Sequence, residues 1–125
     1  MGILHGVMGN ATECSVESVR EAFEPILLEN EVVEKVFKII RDEIIFTNKR
    51  LVLVDKQGLT AKKVEFRSIP YKNITSFAKE SAGMMDLDAE LKLWISKSDE
   101  PITIEFSKKF DINEVYKILS SYILN

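Results

Sequence analysis

Residues 86–96, DLDAELKLWIS, decide the fold class, because their polar and apolar side chains alternate along the chain. Successive side chains of a β-strand point to opposite faces of its sheet, so this pattern predicts an antiparallel strand with one buried face. The small and apolar residues share that face, and the charged residues and the tryptophan share the other: Ala89, Leu91, Leu93 and Ile95 against Asp88, Glu90, Lys92 and Trp94.

The same alternation recurs on both sides of this stretch. A polar turn at Lys97–Pro101 leads into alternating residues 102–106, which predicts a hairpin. Upstream, strands are predicted at 36–40, 44–47, 51–54, 63–67 and, more weakly, 74–79, and residues 51–54 are apolar enough on both faces to be central. About seven short strands follow one another without the helical crossover that a parallel sheet requires.

Helices are predicted at the two ends. Asp111 is placed to cap a C-terminal helix, and Ser15 to cap a short N-terminal helix that Pro25 interrupts. We divide the chain into an N-terminal helical extension, residues 1–30, and a β domain, residues 31–125. The apolar side of the extension is expected to cover its own sheet or, alternatively, a neighbouring subunit. The C-terminal helix has one apolar stripe: Ile112, Val115, Tyr116, Leu119, Tyr122 and Ile123.

Residues 44–74, IIFTNKRLVLVDKQGLTAKKVEFRSIPYKNI, together with residues 86–96, resemble the bacterial pleckstrin-homology (PH) domains. The segments Thr47–Leu51 and Ser68–Tyr71 carry the resemblance, which extends from about Glu31 to the C-terminal helix. It implies an all-β, PH-like fold with flanking helices, in which a bent antiparallel barrel of seven strands is capped by the C-terminal helix. It also implies closed, ring-like homo-oligomers and no enzymatic activity.

The composition argues against several classes of function. A formal net charge of -3 does not favour a nucleic-acid partner, and a single cysteine, Cys14, cannot form an internal disulfide. No apolar run is long enough to span a bilayer, and the first ten residues lack the pattern of a signal peptide. We therefore expect a cytoplasmic protein.

Residue types that perform chemistry are present but not in convincing arrangements. His5 and Cys14 lie in a glycine-rich N-terminal region, where a mobile surface histidine is the simpler interpretation than a metal site or a nucleophile with its base. Asp86, Asp88 and Glu90 alternate on one strand face, which is the ordinary pattern of a solvated face. We expect no catalytic residue, no metal and no cofactor.

The Thr47–Arg50 segment between two apolar runs has two interpretations. It can join two strands, with Thr47 closing the turn, Asn48 accepting left-handed backbone angles, and Lys49 and Arg50 projecting into solvent. It can also contribute to a basic patch that binds anionic lipid or phosphate, formed by Lys49, Arg50, Lys62, Lys63 and Arg67. The connection at residues 41–43 is short and carries two acids, so lipid specificity is not favoured.

Trp94 is unusual for a large aromatic residue, because the alternation places it on the polar face of its strand. Large aromatics on polar faces mark contact surfaces, so we predict an oligomer interface around Trp94, Lys92, Met84 and Met85. Alternatively, a β-bulge returns Trp94 to the core. The predicted function is a non-enzymatic module that assembles with copies of itself, with another protein or a membrane lipid as second candidate partners.

Overall fold

The chain divides into two compact units between Ile69 and Pro70. The structure, a computed structural model, describes residues 21–39, 42–57, 63–80, 89–106 and 111–124. Each unit is built on its own antiparallel sheet. The strands are, in chain order, β1 (Val33–Lys38), β2 (Glu43–Thr47), β3 (Arg50–Gln57), β4 (Lys63–Pro70), β5 (Ile74–Glu80), β6 (Ala89–Ile95) and β7 (Ile102–Phe106).

The first unit holds a four-stranded sheet in the order β1-β2-β3-β4. Between β1 and β2 the backbone N–H of Ile39 donates to the carbonyl of Asp42 at 2.9 Å. Val36 lies opposite Ile45, and Ile45 lies opposite Val52, so β-branched side chains line one face of three adjacent strands. Such side chains pack well on a pleated surface, which explains why these residues form a sheet.

Both faces of this sheet are buried at its centre, since all five residues of β2 are buried. On one face the ring of Phe23 is fully buried over the valines and isoleucine and stacks on Phe66, with 6.0 Å between ring centroids. On the other face Phe37 meets Phe46 edge to face, also at 6.0 Å. The prediction that residues 51–54 form a central strand is confirmed, because β3 lies between β2 and β4.

Residues 21–32, which we call the covering segment, deliver Phe23 to the first sheet. A helical turn ends at Phe23, and a 3₁₀ turn follows at Glu24–Ile26 with Pro25 near its start, where its missing N–H is not needed. This part of the predicted extension therefore packs on its own sheet. Residues 1–20, with the proposed Ser15 cap, lie outside the described residues, and the domain boundary at residue 30 stays a prediction.

The second unit holds a three-stranded sheet in the order β5-β6-β7. Leu91 and Leu93 of β6 are buried on one face, and Ile104 lies opposite Leu91, as the alternation predicts. The turn at residues 96–101 closes the β6–β7 hairpin, and the backbone of Lys97 adopts a positive φ of 67° there. A 3₁₀ turn, Tyr71–Asn73, precedes β5.

The C-terminal helix, Ile112–Ile123, packs on the buried face of the second sheet. Its predicted stripe is confirmed, with Val115 and Leu119 buried at its centre. Tyr116 packs against Phe77 of β5 with 5.1 Å between ring centroids. The side chain of Asp111 accepts a hydrogen bond from the Asn113 N–H at 3.0 Å, which is the predicted N-terminal cap.

The predicted all-β, PH-like class with flanking helices is confirmed: two antiparallel sheets, of four and three strands, precede a C-terminal helix, and a short helical turn precedes β1. The alternating pattern predicted these strands because every second residue of a strand points to the same face of its sheet, and one such face is buried. A shift of the strand pairing by one residue would turn the apolar side chains of that strand from the buried face to the solvent-exposed face.

Candidate functional site

The Thr47–Arg50 segment joins β2 to β3, and the side chain of Thr47 organises the turn. Its hydroxyl oxygen accepts hydrogen bonds from the backbone N–H of Lys49 at 3.0 Å and of Arg50 at 2.9 Å. The same hydroxyl donates to Oε2 of Glu31 at 2.7 Å. Thr47 is fully buried, so these bonds replace the water that its hydroxyl would otherwise need.

Asn48 attaches the covering segment to this turn. Its side-chain oxygen accepts from the backbone N–H of Val32 at 2.7 Å, and its side-chain nitrogen donates to the carbonyl of Asn30 at 3.0 Å. The backbone N–H of Asn48 also donates to the carbonyl of Val32 at 3.1 Å. Among the described residues other than glycine, Lys97 is the one with a positive φ, so Asn48 serves here through its side chain and not through left-handed backbone angles.

Arg50 forms a two-pronged ion pair with the buried carboxylate of Glu31. Its Nε donates to Oε2, and one terminal nitrogen donates to Oε1, both at 2.7 Å. The Glu31 side chain has no exposed surface, whereas 21% of the Arg50 side chain is exposed. A buried carboxylate is costly unless it is paired and hydrogen-bonded, and the planar guanidinium fits it at two points.

The remaining contacts of Arg50 reach three other parts of the first unit. The guanidinium donates to the carbonyl of Ile26 and to the hydroxyl oxygen of Ser68 in β4, each at 3.0 Å. It also lies over the ring of Phe23, 5.3 Å from the centroid, in cation–π geometry. Four of its five N–H groups are thus used inside the chain.

The electrostatics of this pair follow from its geometry. The pKa of Glu31 is lowered from 4.5 to about 2, chiefly by the hydrogen bonds from Arg50. Burial opposes this shift, and the hydrogen bonds from Thr47 and from the backbone N–H of Leu28 contribute to it. In return Glu31 raises the pKa of Arg50. Both groups are therefore charged at any physiological pH.

We call Glu31, Thr47, Asn48 and Arg50 the polar clamp, because together they hold the covering segment on the first sheet. The expectation that Arg50 projects into solvent was wrong: its side chain turns inward towards Glu31. Sequence reasoning missed Glu31 altogether. No local spacing connects residues 31 and 50, so a single sequence carries no signal for this pair.

The other members of the predicted basic patch lie in different surroundings. Lys49 is exposed in the β2–β3 turn, and Lys63 and Arg67 are exposed on one face of β4. Lys62 lies outside the described residues. The β1–β2 connection is short, as predicted, but Glu43, one of the two acids assigned to it, is the first residue of β2 and is buried. Whether the patch binds lipid stays a prediction.

Trp94 lies on the face of β6 opposite Leu91 and Leu93, and it is half-buried. The bulge in this sheet falls between Ile74 and Ser76 of β5, and it does not return Trp94 to the core. Lys92 shares the face of Trp94 and forms an ion pair with Glu80 at 3.1 Å. Met84 and Met85 lie outside the described residues, and the predicted interface stays a prediction.

The structure adds no support for the candidate catalytic and metal-binding residues. His5, Cys14, Asp86 and Asp88 lie outside the described residues, and Glu90 lies on the face of β6 opposite the buried leucines. Within the described ranges, no group of three or more His, Cys, Asp or Glu side chains is arranged to hold a metal ion. No described helix has the length and apolar character needed to cross a membrane.

Comparison with protein families gives a match of nearly full length. Residues 2–123 match the Bacterial PH domain family. Two similar proteins of Bacillus subtilis (strain 168) are the uncharacterized proteins YjqA and YozO. YjqA is 51% identical over 97% of this chain and 98% of its own length, and YozO is 41% identical over 80% of this chain and 85% of its own length.

Solved structures with this fold are also similar in sequence. A pleckstrin homology domain from Shewanella amazonensis SB2B is 45% identical, with a TM-score of 0.82 over 99% of this chain and 100% of that chain. A DUF1696 family protein with a pleckstrin-homology domain from Shewanella loihica PV-4 is 44% identical, with a TM-score of 0.76 over 93% of this chain and 99% of that chain. These similarities support the PH-like fold independently of the strand pattern.

Proposed function

The chain belongs to the bacterial PH domain family, and from this premise we propose that it is a non-enzymatic interaction module that assembles with copies of itself. A closed ring is the form of assembly that we propose, with another protein as a second partner. The single cysteine suits a reducing compartment, so the proposal includes a cytoplasmic location.

The observation that carries the proposal is the position of Trp94. The opposite face of β6 already packs against the C-terminal helix and the core, so the Trp94 side chain stands on the outer face. Trp94 is partly buried by its own chain, and the part of its side chain that stays exposed can be buried against a partner. Aromatic residues are enriched where binding energy is concentrated in interfaces.

Absolute mass in solution tests this proposal, by light scattering on a sizing column at low and high salt. We expect a stable multiple of the 14.3 kDa chain at both salts. Trp94→Glu is expected to lower the mass, because it would bury a charge in the contact. Leu124→Glu is the matched control, since Leu124 is an exposed apolar residue of the same unit.

A rival function is a peripheral module that binds anionic lipid through Lys49, Lys63 and Arg67, which are exposed. Two observations weigh against it: Arg50 is paired with Glu31, and the connection between β1 and β2 is short. Vesicle binding driven by charge falls steeply with salt, whereas an apolar interface does not. A monomer that binds anionic vesicles only at low salt would favour the rival and end the assembly proposal.

A further inference from the structure

The outer face of the second sheet carries a row of like charges beside Trp94. Glu80 of β5 lies opposite Glu90 of β6, and Glu90 lies opposite Glu105 of β7. Like charges placed directly across strands destabilise a sheet. The ion pair of Lys92 with Glu80 offsets one charge of the three, and that carboxylate is still 56% exposed.

A row of exposed side chains with a net positive charge lies on the first unit. Alternate residues of β4, namely Lys63, Glu65 and Arg67, are exposed on one face of the strand. Their order is basic, acidic, basic, and β4 is an edge strand of its sheet. We call this set the β4 row.

We infer that the outer face of the second sheet, around Trp94, docks on the β4 row of a second copy of this chain. This inference rests on the proposed self-assembly and names the two surfaces that meet. The charges are complementary: the sheet face has two more acids than bases, and the β4 row has one more base than acids. These net charges already count Glu65 of the β4 row and the ion pair of Lys92 with Glu80.

The dimensions of the two surfaces also agree. Glu80 and Glu105 are separated by two strand spacings, about 10 Å, and Lys63 and Arg67 by four residues of strand, about 13 Å. The long stems of lysine and arginine cover the difference. Because two different surfaces meet, the contact is head to tail, which closes into a ring when the rotation between neighbours permits.

Paired charge reversals test the inference. The acid-face variant is Glu90→Lys with Glu105→Lys; these two positions lie opposite each other, so they carry like charges in the variant as in the unmodified protein. The basic-row variant is Lys63→Glu with Arg67→Glu. Each alone places like charges in every contact beside Trp94. At low salt, where this repulsion is least screened, we expect the mass to fall to that of the monomer, with association weakened more than about a hundredfold. Asp99→Lys with Glu100→Lys, in the exposed β6–β7 turn, is the control with the same change in net charge as the acid-face variant.

Mixing the two variants distinguishes this pairing from a loss of association caused by altered net charge or by damage to either surface. In an equimolar mixture every contact between unlike variants is again complementary, so the two variants alternate and the mass is expected to rise well above that of the monomer. It equals the mass of the unmodified protein only if the closed ring holds an even number of chains. Circular dichroism must show that both variants are folded.

Failure of the mixture to assemble, or loss of assembly in only one variant, overturns the inference. If Trp94→Glu dissociates the protein but neither reversal does, the self-assembly proposal stands and the pairing is wrong. An unmodified chain that is monomeric at every concentration overturns both.

Discussion

Replacing Glu31 with glutamine removes the charge at the centre of the polar clamp but keeps its shape. The pKa of Glu31 is 4.5 in the unfolded chain and about 2 in the folded chain, because Arg50 holds the carboxylate. Each pH unit of difference corresponds to about 1.4 kcal/mol, so the charged form contributes about 3 kcal/mol to the free energy of unfolding at neutral pH. Glu31→Gln is expected to lose about this amount at pH 7.

The pH dependence of this loss is the sharper prediction. Between pH 4.5 and about 2 the unfolded chain binds a proton at Glu31 that the folded chain does not, so the contribution is complete above pH 4.5 and falls as the pH falls. The difference in stability between the unmodified protein and Glu31→Gln should therefore shrink by about 3 kcal/mol from pH 6 to pH 2. Comparing the two proteins cancels the titration of all other carboxylates.

Urea unfolding followed by far-ultraviolet circular dichroism measures this difference at a fixed chain concentration. With a slope of about 1–3 kcal/mol per molar urea, the midpoint at pH 7 should fall by about 1–3 M. Glu29→Gln, an exposed carboxylate of the same segment, is the matched control and should change stability by less than about 0.5 kcal/mol. A Glu31→Gln loss that stays constant from pH 7 to pH 2 would refute the pairing.

Arg50→Met tests the same pair from the other side. It leaves a buried carboxylate without its ion-pair partner, so we expect a loss of about 3–5 kcal/mol, larger than that of Glu31→Gln. Combining the two substitutions should restore part of the stability, because the double variant no longer buries a carboxylate. Simple additivity of the two losses would mean that the side chains act independently.

Three smaller changes test other parts of the fold by the same unfolding assay. Asn48→Ala removes two side-chain bonds to the covering segment and should cost about 1–2 kcal/mol; no loss would mean that they contribute nothing net. Asp111→Ala removes the helix cap and should cost about 1 kcal/mol, whereas Asp111→Asn should retain most of it. Lys97→Gly relieves a left-handed backbone at φ 67° and should stabilise the protein by about 0.5 kcal/mol, so a loss would contradict the assigned turn.

The strands and the C-terminal helix were predictable because local patterns encode them. Leu91 and Leu93 alternate with charged residues, and Val115 and Leu119 recur at helical spacing, so the face that each element buries can be seen in the sequence. The polar clamp was not predictable in the same way. The role of Thr47 follows from turn chemistry, but the direction of the Arg50 side chain depends on Glu31, nineteen positions away, and on a segment whose position only tertiary packing fixes.

Because the Arg50 side chain points inward and pairs with Glu31, the positive charges that remain for binding a partner or a lipid are those of the exposed basic residues. Of the described members of the basic patch, Lys63 and Arg67 share one strand face, and Lys49 is exposed in the β2–β3 turn. Lipid binding and the inferred assembly therefore compete for the same β4 row. Reversing the charge of that row weakens both lipid binding and assembly, so the basic-row variant alone does not distinguish them. Adding the acid-face variant does distinguish them, because it supplies a complementary protein surface that restores assembly but does not restore binding to a vesicle.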